Sequence, residues 1–160
     1  MADNNAVGER GEAIFLLALT EFVGVGDTPY FRACQQGQKW PATDFYCELQ
    51  DRVGHSFLVQ AKTTRQPIVS GSHVPIDKLT KADMAKLFSS PMPFYLAAVH
   101  EPSKLAYIGV PNTCRSIERV PTTFLLSDKV TLDTLKAEVE KHWNRKQLKK
   151  FDPSKSKFAF

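Results

Sequence analysis

The longest unbroken apolar runs in this chain, Ile14–Leu19 with Ala13 ahead of it and Phe94–Val99, are seven and six residues long, and their shortness limits what it can build. A bilayer-spanning helix needs roughly 20 apolar residues, so neither run crosses a membrane. Short runs set among polar residues suit helices and strands that each hide one face against a common core. At 160 residues the expectation is one such core. A hydrophobic share of 42% and a charged share of 24% are ordinary for a globular chain and exclude general disorder and collagen-like order.

Export is not expected, because Met1-Ala2-Asp3-Asn4-Asn5 has no basic start followed by an apolar stretch and a small-residue cleavage site. Cys34, Cys47 and Cys114 lie too far apart for a zinc knuckle or an evident disulfide framework. Reduced thiols in the cytoplasm are the expectation. The net charge of +4 is unevenly placed: residues 1–135 carry 13 basic and 14 acidic side chains, residues 136–160 carry 8 and 3. Lys141, Arg145, Lys146, Lys149 and Lys150 fall close together, interrupted upstream by Glu138 and Glu140. Such a cluster fits phosphate contact or a solvated helix face.

Helical spacing of Ile14, Leu17, Ala18 and Glu21 predicts a first helix over 9–22, stopped by Gly24-Val25-Gly26. Strand-like runs at 44–49 and 56–62 flank Gln50-Asp51-Arg52-Val53-Gly54, a hairpin signature. Pro75 ahead of Ile76 and Asp77 predicts a helix running to Phe88, with Leu79, Leu87 and Phe88 turned inward. Two further strands, 94–100 and 105–110, are joined by Glu101-Pro102-Ser103-Lys104. A last helix is predicted from Thr131 as N-cap, with Leu132, Leu135, Val139 and Trp143 on one stripe. The expected domain is 1–150, followed by a loose basic tail at 151–160. The predicted class is α/β with a mixed sheet.

One constellation carries chemistry. Alternation along a strand sends Gln60 and Lys62 to one face and Val59 and Ala61 to the other. Across the hairpin, Asp44 reaches the same spot, and a glutamate from the first helix, Glu12 or Glu9, completes a small acidic pocket. Such a pocket suits a hard cation. Magnesium keeps several waters and needs few protein ligands, so Asp44, Gln60 and substrate phosphate suffice. Lys62 beside it can orient the attacking water and offset charge developing on phosphate.

A helical glutamate, then Asp44, then Gln60-Ala61-Lys62 resembles the PD-(D/E)XK nuclease superfamily in the variant where glutamine replaces the second acid. More narrowly, Gly8-Glu9-Arg10-Gly11-Glu12-Ala13, Lys39-Trp40-Pro41-Ala42-Thr43-Asp44-Phe45 and Phe57-Leu58-Val59-Gln60-Ala61-Lys62-Thr63-Thr64 resemble a bacterial domain-of-unknown-function family that serves as effector nuclease in some anti-phage systems. The resemblance covers about residues 8–110. It implies a restriction-endonuclease-like central mixed sheet flanked by helices, a Mg2+ or Mn2+ site, and hydrolysis of DNA phosphodiesters in defence or DNA processing. It also implies roles: Asp44 as metal-binding acid, Gln60 as second metal ligand, Lys62 as catalytic lysine, and Glu12 or Glu9 as helical acid. The departure is Gln60, because a neutral amide binds a dication less strongly than a carboxylate does.

Other residues read more plainly. Glu12 is favoured over Glu9 because it directly precedes the apolar stripe, whereas Glu9 suits the helix N-terminus through the macrodipole. Glu48 shares a face with Asp44 but stands roughly 13 Å along the strand, too far for one ion. His55, His73, His100 and His142 have no metal spacing. Cys47 is expected to pack inward, and Trp40 and Trp143 to anchor core or loops. Lys62-Thr63-Thr64-Arg65 is the expected contact to the DNA backbone. The partner is then DNA and no membrane, with control supplied by a regulatory or sensor protein or by homodimerisation. The rival reading is a catalytically inactive nuclease-fold module that binds DNA or a protein partner, and a third is an inhibitor-like partner protein.

Overall fold

A computed structural model describes residues 3–23, 26, 28–36 and 43–160. In chain order the elements are helix α1 (Asn4–Leu19), strands β1 (Phe31–Gln35), β2 (Phe45–Leu49), β3 (Ser56–Thr64) and β4 (His73–Leu79), then helix α2 (Lys81–Phe88). Strands β5 (Phe94–His100), β6 (Leu105–Gly109) and β7 (Ile117–Pro121) and helix α3 (Lys129–Trp143) follow, with a single 3-10 turn at Pro153–Lys155. The expected α/β class and mixed sheet hold. Five strands form one sheet in the order β1-β2-β3-β5-β6, and β4 pairs with β7 in a second. Among the named strands of the described residues only β3 and β5 pair in parallel; the other strand pairings are antiparallel, and an isolated parallel bridge joins Val110 to Ala159. A parallel pair requires a long crossover, and β4 with α2 supplies it. Among the described residues no helix is long and apolar enough to cross a membrane.

Register decides which side chains share a face. Phe45 stands opposite Val59, and Val59 beside Tyr95, so Phe45, Phe57, Val59 and Tyr95 all project to one side, each fully buried. Phe15 of α1 packs on Phe45 with ring centroids 4.7 Å apart, and the Tyr95 hydroxyl donates to Glu138 of α3 at 2.8 Å. Both helices therefore cover that side. Phe94 points the other way and meets Phe88 of α2 at 5.1 Å. Edge-to-face contacts link Phe31, Phe57, Tyr95 and Phe158 through the core at 5.4–5.6 Å. Gly11 of α1 lies directly against Thr63 of β3, with no room for even a methyl group between them.

The β2–β3 hairpin and the strands β5 and β6 form where the sequence places them; the hairpin loop needs Gly54, whose φ is 86°. Other expectations are corrected. Helix α1 starts at Asn4, because Asp3 caps it by accepting from the Asn5 amide at 3.0 Å, and it stops at Leu19. Gly24 and Val25 of the expected stop lie outside the described residues. Pro75 opens no helix: it sits inside β4, where Val74 and Ile76 alternate as buried residues around it. Lacking an N–H, proline is tolerated there because β4 pairs on one side only, with β7. The helix begins after Thr80, which forms a capping box with Asp83. Strands β1 and β7 went unread because each buries few residues: Phe31 in one, Ile117 and Val120 in the other. Asp128, not Thr131, is the N-cap of α3, and Thr131 is buried.

The segment 151–160 is not a loose tail. Val110 donates to the Phe158 carbonyl at 2.9 Å and accepts from Phe160 N at 2.9 Å, so the segment pairs beside β6. Phe151 and Phe158 are 8% and 1% exposed. Apolar burial outweighs the lysines between them, whose charged ends stay in water. Phe158→Ala is expected to cost about 3–5 kcal/mol in urea unfolding. A loss well under about 1 kcal/mol would mean that the segment does not dock.

Candidate active site

Strand β3 outruns its neighbour. Pairing with β2 ends at Phe45 opposite Val59, while β3 continues to Thr64 with β5 on its other side. Beyond that point the outward ladder amides of β3, on the side away from β5, face no strand among the described residues, and a buried N–H without an acceptor is costly. The side chain of Asp44 fills the gap. Its Oδ2 accepts from Ala61 N at 2.8 Å and from Gln60 Nε2 at 2.6 Å, while its own N–H donates to Val59 O at 2.9 Å. Asp44 and Gln60 are thereby fixed to each other, and Gln60 is only 6% exposed.

Both donors fall on one oxygen of Asp44, and among the described residues no hydrogen bond occupies Oδ1, the oxygen that could meet a ligand. Glu12 enters from α1, held by the Gln35 side-chain amide, which donates to it from the end of β1. The two acids, Gln60, Lys62 and Arg65 line one cavity of about 470 Å³. Glu9 is exposed and is not among the lining residues, so of the two helical glutamates it is Glu12 that faces the cavity.

The electrostatics follow from this crowding. Burial pushes the Asp44 carboxyl above its ordinary range, while the Ala61 N–H and the Lys62 charge pull it part of the way back. Burial also raises Glu12, and the charges of Asp44 and Glu9 raise it further. Two partly desolvated carboxylates that repel one another fit a nearby cation. The donors fit a hard one: carboxylate oxygens from Asp44 and Glu12 and the carbonyl of Gln60, whose nitrogen is already turned to Asp44. Among the described residues no three His, Cys, Asp or Glu side chains cluster as a metal site, so any ion here rests on two acids and an amide. Asp77 of β4 also lines the cavity without joining the acid pair.

The remaining candidates sort by their contacts. Lys62 and Arg65 carry charge at the cavity, whereas Thr64 is 7% exposed with its hydroxyl accepting from Gln66 N at 3.1 Å. Thr63 lines the cavity and backs onto Gly11. Glu48 serves the hairpin, accepting from Arg32 at 2.7 Å and from the Gly54 amide. Cys47 is fully buried, and Trp143 packs on the core and donates to Ser56 O at 2.8 Å. Trp40 and Lys39 lie outside the described residues. His55, His73 and His100 bond to Asn144, Ser72 and Ser103. His142 is buried with Nδ1 unpaired, and burial first, then Arg145, holds its pKa down. The basic residues from Lys141 to Lys150 are exposed and stand apart from the acid pair. Sequence reading missed Gln35 and Asp77, both set by strands that it did not assign.

Compared with known proteins, the chain matches no family model and no curated protein. The acid pair yields a test of its own. Because both carboxyl groups are raised in the folded state, the native protein holds protons that the unfolded chain has lost. Their effect therefore favours folding in acid and is lost as pH rises from the ordinary carboxylate value through the raised one. Asp44→Asn keeps an acceptor for Ala61 N and removes the charge, and Gln60 can turn its amide to match. In EDTA at neutral pH this variant should melt at higher temperature than the parent, the gap closing as pH falls. A variant that melts lower across the neutral range would contradict the charge argument.

Proposed function

We propose that this protein is a magnesium- or manganese-dependent endodeoxyribonuclease of PD-(D/E)XK type, cutting DNA in defence or DNA processing. The observation that carries the reading is the meeting of Asp44, Gln60 and Lys62 with Glu12 in one cavity, on the elements that the resemblance requires. Asp44 Oδ1, Glu12 and the Gln60 carbonyl would hold the ion. When bound, it would polarise a phosphate oxygen and make a coordinated water more acidic.

The protein's own groups do the rest. The Asp44–Gln60 hydrogen bond fixes both ligands before substrate arrives, so little reorganisation remains. Lys62 orients the attacking water and offsets the negative charge that grows on the phosphoryl oxygens, a contribution that is large in a partly desolvated site. Lys62 and Arg65 draw the phosphate backbone to the cavity mouth. The unpaired thiols Cys34, Cys47 and Cys114 suit a reducing cytoplasm, and a sensor protein or homodimerisation would supply control.

Purified protein should nick supercoiled plasmid in magnesium or manganese and not in EDTA, with Lys62→Ala lowering the rate about 10²–10⁴-fold. Magnesium should raise the melting temperature of the parent but not of Asp44→Asn. Nicking that survives Lys62→Ala would overturn the assignment. DNA binding without cleavage in any metal, unchanged by Asp44→Ala and Lys62→Ala, would leave the inactive binding module instead.

A further inference from the structure

Beside the cavity lies an ion-pair arrangement that the catalytic reading does not use. Glu101 follows β5 directly, and its N–H donates to Thr64 O at 3.0 Å, the bond that closes the last pair of the parallel register, Thr64 with His100. Its carboxylate is 6% exposed and fully engaged: Oε1 accepts from Arg10 Nε at 2.8 Å and Oε2 from Arg65 Nε at 2.9 Å. The arginines are the reverse, with side chains 62% and 51% exposed. Burying a carboxylate is unfavourable, and exposed ion pairs contribute little to stability. The two arginines, Arg65 foremost, hold the charged carboxylate in place, and in return two long, rotamer-rich side chains are themselves fixed. Among the described residues each guanidinium is gripped through Nε, which leaves the end-on edge formed by its two terminal nitrogens as the fork that takes phosphate oxygens.

We propose that Glu101 is a positioning residue that holds Arg10 and Arg65 as a two-pronged clamp on neighbouring phosphates of duplex DNA entering the cavity. The choice of ligand rests on the nuclease reading. Arg65 lines the cavity with Lys62 and Asp44, and Arg10 continues the basic track outward on α1. The carboxylate removes one charge but saves the ordering of two side chains on binding, the gain expected of preorganisation.

The test turns on a sign. Binding of a fluorescein-labelled DNA duplex is followed by anisotropy in EDTA over a salt series. Arg10→Ala and Arg65→Ala should each weaken binding about 5–20-fold near 0.1 M salt and lower the salt slope by about one. Glu101→Gln makes the protein more positive, so a mere counterion role predicts tighter binding. Positioning predicts binding weaker by about fivefold, and no effect beyond about twofold when the same change is made in the Arg10→Ala/Arg65→Ala background. Arg65→Lys, which keeps both the charge and Glu101, should also weaken binding, and it decides the matter should Glu101→Gln not fold. Unchanged or tighter binding by Glu101→Gln, equal losses in both backgrounds, or no DNA binding by the parent would overturn the clamp. Plasmid cleavage read in parallel separates the two ideas: the anisotropy pattern without cleavage keeps the clamp and removes the nuclease, and the converse result keeps the nuclease alone.

Discussion

The site depends on a missing strand partner. Where β2 stops and β3 runs on, Ala61 N–H needs an acceptor, and among the described residues the side chain at the last residue before β2 supplies it. The same carboxylate that completes the ladder is therefore the one left facing the cavity. Gln60 is drawn in by its hydrogen bond to that oxygen, and Lys62, two residues on, emerges on the same face of the strand. Three polar groups gain their mutual geometry from a backbone requirement.

The groups that give the site its chemistry are also those that strain the fold. Asp44 and Glu12 are pushed toward their protonated forms by burial and, at Glu12, by mutual repulsion. A chain selected for stability alone would replace one of them. Keeping both is the kind of local conflict found where function overrides packing. Glu101 differs, since its two arginines hold it below the ordinary carboxylate range, Arg65 foremost.

What could be read in the sequence follows from how strongly each segment buries its side chains. Strands β5 and β6 and the β2–β3 hairpin carry alternation or unbroken apolar runs, and they are found as expected. Strand β1 buries Phe31 alone and follows no pattern, and β4 is masked by Pro75, which reads as a helix start unless its one-sided pairing is known. The site followed the same divide. Asp44 directly precedes one legible strand, Gln60 and Lys62 lie on the next, and α1 carries Glu12, so their meeting could be anticipated. Gln35 and Asp77 ride on illegible strands, and the turn expected at Glu101–Lys104 is present but gives no sign of the grip of Glu101 on Arg10 and Arg65, which spans 91 and 36 residues of sequence. Long-range pairing leaves no local trace.

The contact between Gly11 and Thr63 has a further consequence. Gly11 immediately precedes Glu12, and its bare backbone rests on the strand that carries Gln60 and Lys62. The spacing of helix from sheet is thus set by hydrogen atoms alone, and with it the width of the gap between the two acids. Residue 11 works as a shim. Thickening it would push the helix off the strand and widen the gap between Glu12 and Asp44, without altering either acid.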